Sequence, residues 1–551
     1  MAMSETTTPT DAGGTAKTDF DVVIIGAGFG GLAALKELRG HGFSVRAVEA
    51  APEVGGTWYW NRYPGLRVDS ESRIFCYSTD PELLEEWDWH ERFPAQPEVL
   101  KYLCHVADRY DLRKDIDFNT RVKSARYDQE SGRWTVFLEG KGSYTCQFLL
   151  GATGVLSIPM EPGIPGLDTF KGEWFMTARW PEKEPDLHGK RVGVIGTGAT
   201  AVQVIPLVAA VASELTVFQR TPNYVLPARN YPIDAMTRRS IKDNYDALWD
   251  MVRENPGGWA FPPADRNFAD FSPEERERVC EAAWEVGSMG LMVSTFADLM
   301  TNMDANNFVS DFVRRKIRMQ VNDPAVAEIL CPKSDNPIGV KRVPLGHQYY
   351  EAYNRDNVRL VDISANAIEY ITPEGVRLAD GTTYELDVLI LALGYDAFTG
   401  ALSKIDITST SGESINDRWS EGAVTYQSVA MNGFPNFFMV GGPQIPIANF
   451  VPTLEAIAVY LAETLCIMRD RGIKSVEVKP EAVDRYVQLM HQLTDDTLFR
   501  EGGRLRSWFH GANKEGKPHA PLLHYGGLPM FLEDLEAEKS SGFPSYVFAG
   551  P

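Results

Sequence analysis

The chain has 551 residues, 44% of them hydrophobic, and its 54 Lys and Arg stand against 75 Asp and Glu for a formal net charge of −21. That length exceeds one ordinary core and predicts two or three domains. The acidic balance, with no Lys/Arg-rich block, excludes nucleic acid as a partner. No apolar run approaches the roughly 18 residues of a spanning helix, so no membrane span is expected. The six cysteines (Cys76, Cys104, Cys146, Cys280, Cys331, Cys466) form no C-x-x-C, which argues against a zinc knuckle or a dithiol site. A soluble, cytoplasmic chain that holds no metal is expected, with a monomer favoured.

Residues 1–18, MAMSETTTPTDAGGTAKT, are small and polar and lack the apolar core of a secretory signal. They are expected to form a disordered tail. DVVIIGAG, FGGLAALKELRG and FSVRAVEA then read as strand, helix and strand. Gly26, Gly28 and Gly31 make a G-x-G-x-x-G at the first turn. The first glycine allows the tight turn and the second lets the backbone approach a pyrophosphate at the positive helix end. The third lets helix and strand pack closely. Glu49 closes the second strand and would accept hydrogen bonds from ribose hydroxyls. Residues 19–157 should therefore begin a domain that holds FAD or NAD, with RWTVFLEGKGSYTCQFLLGATG as a β-meander returning to its sheet.

After the Pro-rich linker SIPMEPGIPG, GVIGTGATAV repeats the turn as G-x-G-x-x-A through Gly196, Gly198 and Ala201. Thr197, Thr200 and Gln203 belong to the same cofactor-binding stretch. Here the second strand ends TVFQR, with Arg220 where the first unit has Glu49. A guanidinium there pairs with a 2′-phosphate, so this site should take NADPH; the alternative is an ordinary solvated charge. Residues 158–222 and 332–390 are expected to form the NADP-binding domain, 223–331 a helical insertion in it, and 391–551 the rest of the FAD-binding domain. The fold class is α/β with two Rossmann-like domains, one site holding a flavin and the other delivering hydride to it.

Four stretches make a family resemblance specific. GGTWYWNRYPGLRVD resembles the Baeyer–Villiger monooxygenase pattern G-x-W-x-x-x-x-Y-P-G-x-x-x-D, with Gly56, Trp58, Tyr63, Pro64, Gly65 and Asp69 in place. FKGEWFMTARWP resembles that family's F-x-G-x-x-x-H-x-x-x-W-P: Phe170, Gly172, Trp180 and Pro181 match, and Met176 stands where the family has His. VKRVPLGHQYYEAYNRDNVRL looks like the segment with the family's Lys-Arg pair, and RSWFHGANKEGKP like its mobile loop, near 501–518. The resemblance implies that Lys341 contacts the NADPH phosphate and Arg342 is the catalytic arginine. It also implies that Asp69 holds Arg342, Trp58 lies against the flavin and Trp508 closes over NADP.

The implied partners are a small-molecule ketone and O2. NADPH reduces FAD, and a C4a-peroxide formed with O2 attacks the ketone and inserts one oxygen atom, giving an ester or lactone. An anionic oxidant needs a fixed positive charge, which a guanidinium supplies. The family has pocket residues after the G-P of GGPQIPIANFVP, so Ile445, Ile447 and Phe450 are expected to line an apolar substrate pocket. His347, His510 and His524 read as structural. Two alternatives stay open. An N- or S-oxidising flavin monooxygenase would end the second motif Tyr-Lys, against Trp180-Pro181 here. An uncoupled NADPH oxidase is kept open by Met176.

Overall fold

The computed structural model describes residues 18–550, so the tail expected over 1–18 lies, but for Thr18, outside the described residues. β1 (Phe20–Ile25), α1 (Phe29–Gly40) and β2 (Val45–Val48) form a parallel βαβ start. β1 is flanked on both sides, by β2 and by β6 (Ser143–Gly151). Such a strand is covered on both faces, and Val22, Val23 and Ile24 are fully buried, as a continuous apolar run requires. β3 (Ile116–Asp117) extends the sheet beyond β2, and β4 (Val122–Asp128) and β5 (Arg133–Leu138) form an antiparallel meander with β6. The late strand Phe437–Met439 pairs with the end of β6, and Asp406–Thr408 pairs with β4.

The second sheet is wholly parallel. Its order is Val358–Asp362, β9 (Glu214–Gln219), β8 (Arg191–Ile195), Val388–Leu391, β7 (Glu173–Met176). Helix Ala199–Val211 connects β8 to β9. Met176 ends β7 opposite Leu391 and packs on the apolar cluster of Ile195, Phe218 and Leu391 under this sheet.

Helices Ala235–Asp243, Tyr245–Glu254, Pro273–Val286, Met303–Gln320 and Pro324–Leu330 separate β9 from the return to the second sheet. Ser272 and Glu275 close the N-terminus of Pro273–Val286 as a capping box. The other end of that helix is tied to the first domain, because Arg92 donates to the Val286 carbonyl (2.8 Å) and pairs with buried Glu71. Helix Phe450–Asp470 is long and apolar enough to cross a bilayer, yet 56% of that apolar stretch is buried inside the protein. It carries buried Glu455, whose carboxylate accepts hydrogen bonds from the backbone and hydroxyls of Ser78 and Thr79. It is a core helix packed against α1.

The two glycine turns are built alike. Gly26 and Gly196 both have φ +107°, and a Cβ on either would stand 2.5 Å from a carbonyl oxygen, that of Ala152 or Ala392. Gly198 differs, since an added Cβ would meet nothing within 4 Å. Gly196→Ala is therefore expected to lower Tm by at least ~3 °C through backbone strain. Gly198→Ala should leave Tm within ~1 °C while weakening NADP+ binding, because its methyl fills the space of a close-approaching pyrophosphate. Calorimetric melting and NADP+ titration of both variants check this pair.

Candidate active site

A cavity of about 2100 Å³ runs from Gly26 and Glu49 past Gly196 and Gly198 to Lys341 and Trp508. At its first end Glu49 is buried, with one carboxylate oxygen accepting from the Ala27 N–H (2.7 Å) and the other from Ala51 (2.8 Å). Burial pushes its pKa up, against these backbone donors. The two bonds occupy half of the roughly four acceptor positions of a carboxylate, which leaves capacity for ribose hydroxyls. Beside it the backbones of two loops touch: a Cβ on Gly56 (φ +53°) would stand 3.0 Å from the Gly28 Cα. The helical turn Thr57–Trp60 then brings Trp58 to the cavity wall, edge-on to Phe75 with centroids 5.6 Å apart.

The segment after Trp58 crosses to the second sheet's helix. The Tyr63 hydroxyl donates to Gln203 Oε1 (3.0 Å), and Gln203 Nε2 donates to the Arg67 carbonyl (3.1 Å). Gly65 is needed where this turn meets the helix, since its Cβ would lie 2.6 Å from the Gln203 carbonyl oxygen. Gln203 is thus engaged with protein on both ends of its amide. Four residues past Gly65, Asp69 Oδ2 accepts a hydrogen bond from Arg342 Nη2. The Asp69 side chain is 10% exposed and that of Arg342 40%. Asp69 Oδ1 is buried without a hydrogen-bond partner. Burial raises the Asp69 pKa, and Arg342 pulls against it. Among the described residues the Arg342 guanidinium donates to Asp69 alone.

At the other end Thr197, Gly198, Thr200 and Gln203 line the cavity, and Arg220 stands exposed at its edge. Gly31 and Ala201 are fully packed and stand outside the wall, where they bring helix and strand together. Lys341 is held below its ordinary pKa by burial and by the charges of Arg220 and Arg506. Arg220, Lys341 and Arg506 thus line this end of the cavity with three cationic side chains. The sequence reading did not mark Arg506, although it opens the quoted loop two residues before Trp508. Trp508 lines the cavity and stacks on Phe398 with centroids 5.5 Å apart, and the Ser507 hydroxyl donates to the Val340 carbonyl (3.0 Å), just before Lys341.

Ile447 and Phe450 line the cavity, but Ile445 does not. It is fully buried, in a two-residue strand paired with Leu523, and belongs to the core. The helical insertion instead contributes Met289, Met292, Phe296 and Met300, none of which local sequence pattern had marked. His347, His510 and His524 stand outside the wall, and burial pushes each ring down to about 4, so all three are neutral near pH 7.

The profile of the flavin-binding monooxygenase-like family matches residues 19–247. A Baeyer–Villiger monooxygenase of Pseudooceanicola batsensis is 42% identical over 97% of both chains. Cyclohexanone 1,2-monooxygenase of an Acinetobacter species is 41% identical over 94% of both. The solved OTEMO complex with FAD and NADP superposes with a TM-score of 0.93 at 40% identity, covering 97% of this chain and 100% of that one. The chain belongs to the Baeyer–Villiger monooxygenases, flavoenzymes that work with FAD and NADPH.

Proposed function

We propose that Arg342 is the catalytic cation of this enzyme and Asp69 its holder, in an oxygenation that converts an apolar ketone to an ester or lactone. The observation that carries this reading is the Arg342–Asp69 pair, set in one cavity with two glycine cradles. The residues present fit both cofactors. Gly26, Gly28 and Glu49 would hold the FAD pyrophosphate and ribose, with Trp58 beside the flavin. Gly196, Gly198, Thr197 and Thr200 would hold NADPH, with Arg220, Lys341 and Arg506 on its 2′-phosphate. When bound, FAD reduced by NADPH would activate O2, one atom of which enters the ketone while the other leaves as water.

The protein's part is electrostatic. A guanidinium keeps its proton at any working pH and offers several donors in a plane. Asp69 takes one donor and fixes the plane, leaving the others for negative charge that develops on oxygen. A preorganised donor of this kind contributes most in a water-poor site. Ile447, Phe450, Met292 and Phe296 make the wall apolar, which suits a ketone with a hydrocarbon frame. Trp508, in its stacked position, excludes water from the nucleotide end.

Arg342→Ala is expected to cut ester formation by roughly a hundredfold or more, the order lost with a principal oxyanion donor. Anaerobic flavin reduction should persist where NADPH still binds. Ester formation at the parent rate would reassign the catalytic cation.

Lys341→Met should raise KM for NADPH by roughly 10- to 100-fold, the worth of a charge-assisted hydrogen bond, with KM for NADH little changed. The same lysine sets a pH dependence. Its pKa is low in the free protein, and a phosphate anion raises it, so NADPH affinity should fall as pH rises through the lowered value. NADH affinity should not follow, and the contrast should vanish in Lys341→Met. Titrations of both coenzymes against pH decide it.

Met176 sits in an apolar cluster, where a thioether packs well and an imidazole would be neutral. Met176→His is expected to change kcat/KM by no more than about tenfold, the effect of about one hydrogen bond. Ketone-dependent NADPH oxidation, with ester and hydrogen peroxide both counted, checks it. If the natural chain makes only peroxide while Met176→His makes ester, oxygenation needs the imidazole.

A further inference from the structure

The segment 501–518 lies across the nucleotide end of the cavity as a strap, and it is fastened on both sides. On one side Arg504 pairs with the Asp335 carboxylate (3.2 Å) and donates to the Asp335 carbonyl (2.5 Å), with the two side chains 48% and 66% exposed. A solvated pair of that kind holds little, typically under about 1 kcal/mol. On the other side Asp396 Oδ2 accepts from Lys514 Nζ (2.5 Å), and Oδ1 accepts from Lys517 Nζ (2.8 Å). Lys517 also donates to the Ala397 carbonyl (2.6 Å), and Asn513 Nδ2 to the Tyr395 carbonyl (3.1 Å). The Lys517 and Asp396 side chains are only 9% and 10% exposed.

Asp396 stands outside the cavity wall, between Tyr395 and Ala397, which line it. Its position is fixed independently of the strap. The Asp396 N–H donates to the Ile158 carbonyl (2.9 Å), and the carboxylate lies against Gly400, where a Cβ would stand 2.7 Å from Asp396 Cγ. Burial alone would raise this carboxyl; the two lysines outweigh burial and hold it below its ordinary range. Between the two fastenings lie Ser507, bonded to Val340, and Trp508, stacked on Phe398.

We propose that Asp396 is the positioning residue that latches the 501–518 strap shut, by receiving buried Lys517 and the partly exposed Lys514 in one ion triad. The latch keeps Trp508 and Ser507 seated and so slows the escape of NADP from beneath them. This rests on the reading of that cavity end as the NADP site. The solvated Arg504 side is the weaker fastening, so loss of the Asp396 side loosens the strap.

The test uses the full FAD-loaded chain. Asp396→Asn leaves Lys517 buried without a charge partner, so a second variant, Asp396→Asn with Lys517→Met, removes both charges together. Amide hydrogen exchange of residues 503–520 is measured without nucleotide and with NADP+. Both variants should exchange in the strap about tenfold faster or more without nucleotide, the equivalent of one charge-assisted bond, while β1 and β8 stay unchanged. NADP+ should dissociate faster, and a larger share of NADPH oxidation should end as hydrogen peroxide. The anaerobic rate of flavin reduction at saturating NADPH should be unaltered, which a general loss of structure would not allow. Unchanged strap exchange in both variants would overturn the latch. If the parent enzyme fails to bind NADP+ in calorimetry, the reading of the cavity falls, and the nucleotide-free exchange still decides the latch.

Discussion

The Asp69–Arg342 ion pair joins residues 273 positions apart, on segments that hang from different sheets. It exists only while those sheets are held in one register. The Y-P-G turn does that work: Tyr63 and the Arg67 carbonyl clasp Gln203 from two sides, and Gly65 lets the backbones close to a distance that any side chain would forbid. Glu71, Arg92 and the end of helix Pro273–Val286 fix the insertion to the same segment. Cofactor cradles, cation and pocket wall are therefore mechanically dependent on one short stretch, Tyr63–Glu71.

Energetically the pair is asymmetric. Asp69 is nearly buried and Arg342 is half open to the cavity. Removing the cation from such a pair leaves a buried carboxyl that burial already pushes toward protonation. The cost of placing Asp69 there is offset only while Arg342 is present, which keeps the guanidinium aimed and leaves its remaining donors to the cavity. At the Lys341 end the charges of Arg220 and Arg506 weigh against the Lys341 ammonium, and an anion bound there would offset them.

Much of this was legible in the sequence, for a definite reason. Gly26 and Gly196 answer a backbone demand, a positive φ with a carbonyl oxygen 2.5 Å from any Cβ, that no other residue meets, so the glycine spacing carries its meaning locally. The strand, helix and meander runs are likewise local patterns, and the two sheets follow them. Arg506 was not legible as a neighbour of Lys341, since the two meet only after the strap folds back. Met292 and Phe296 lie in an insertion whose path no local pattern defines. Ile445 misled because it shares a short apolar stretch with Ile447. Pairing of Ile445–Pro446 with Leu523–His524 turns the first isoleucine into the core, and the chain reaches the cavity only at the second. Family motifs supplied what physics alone did not, a reason to single out Arg342 among many arginines.

The central claim is that this cavity directs one atom of O2 into a ketone rather than releasing both as hydrogen peroxide. The most direct measurement is turnover of the FAD-loaded enzyme with NADPH, a panel of cyclic and linear ketones and 18O2, with mass analysis of the products. The account predicts an ester or lactone carrying one 18O atom, formed nearly one for one with NADPH consumed. NADPH oxidation that yields hydrogen peroxide and no labelled ester across the whole panel would contradict it.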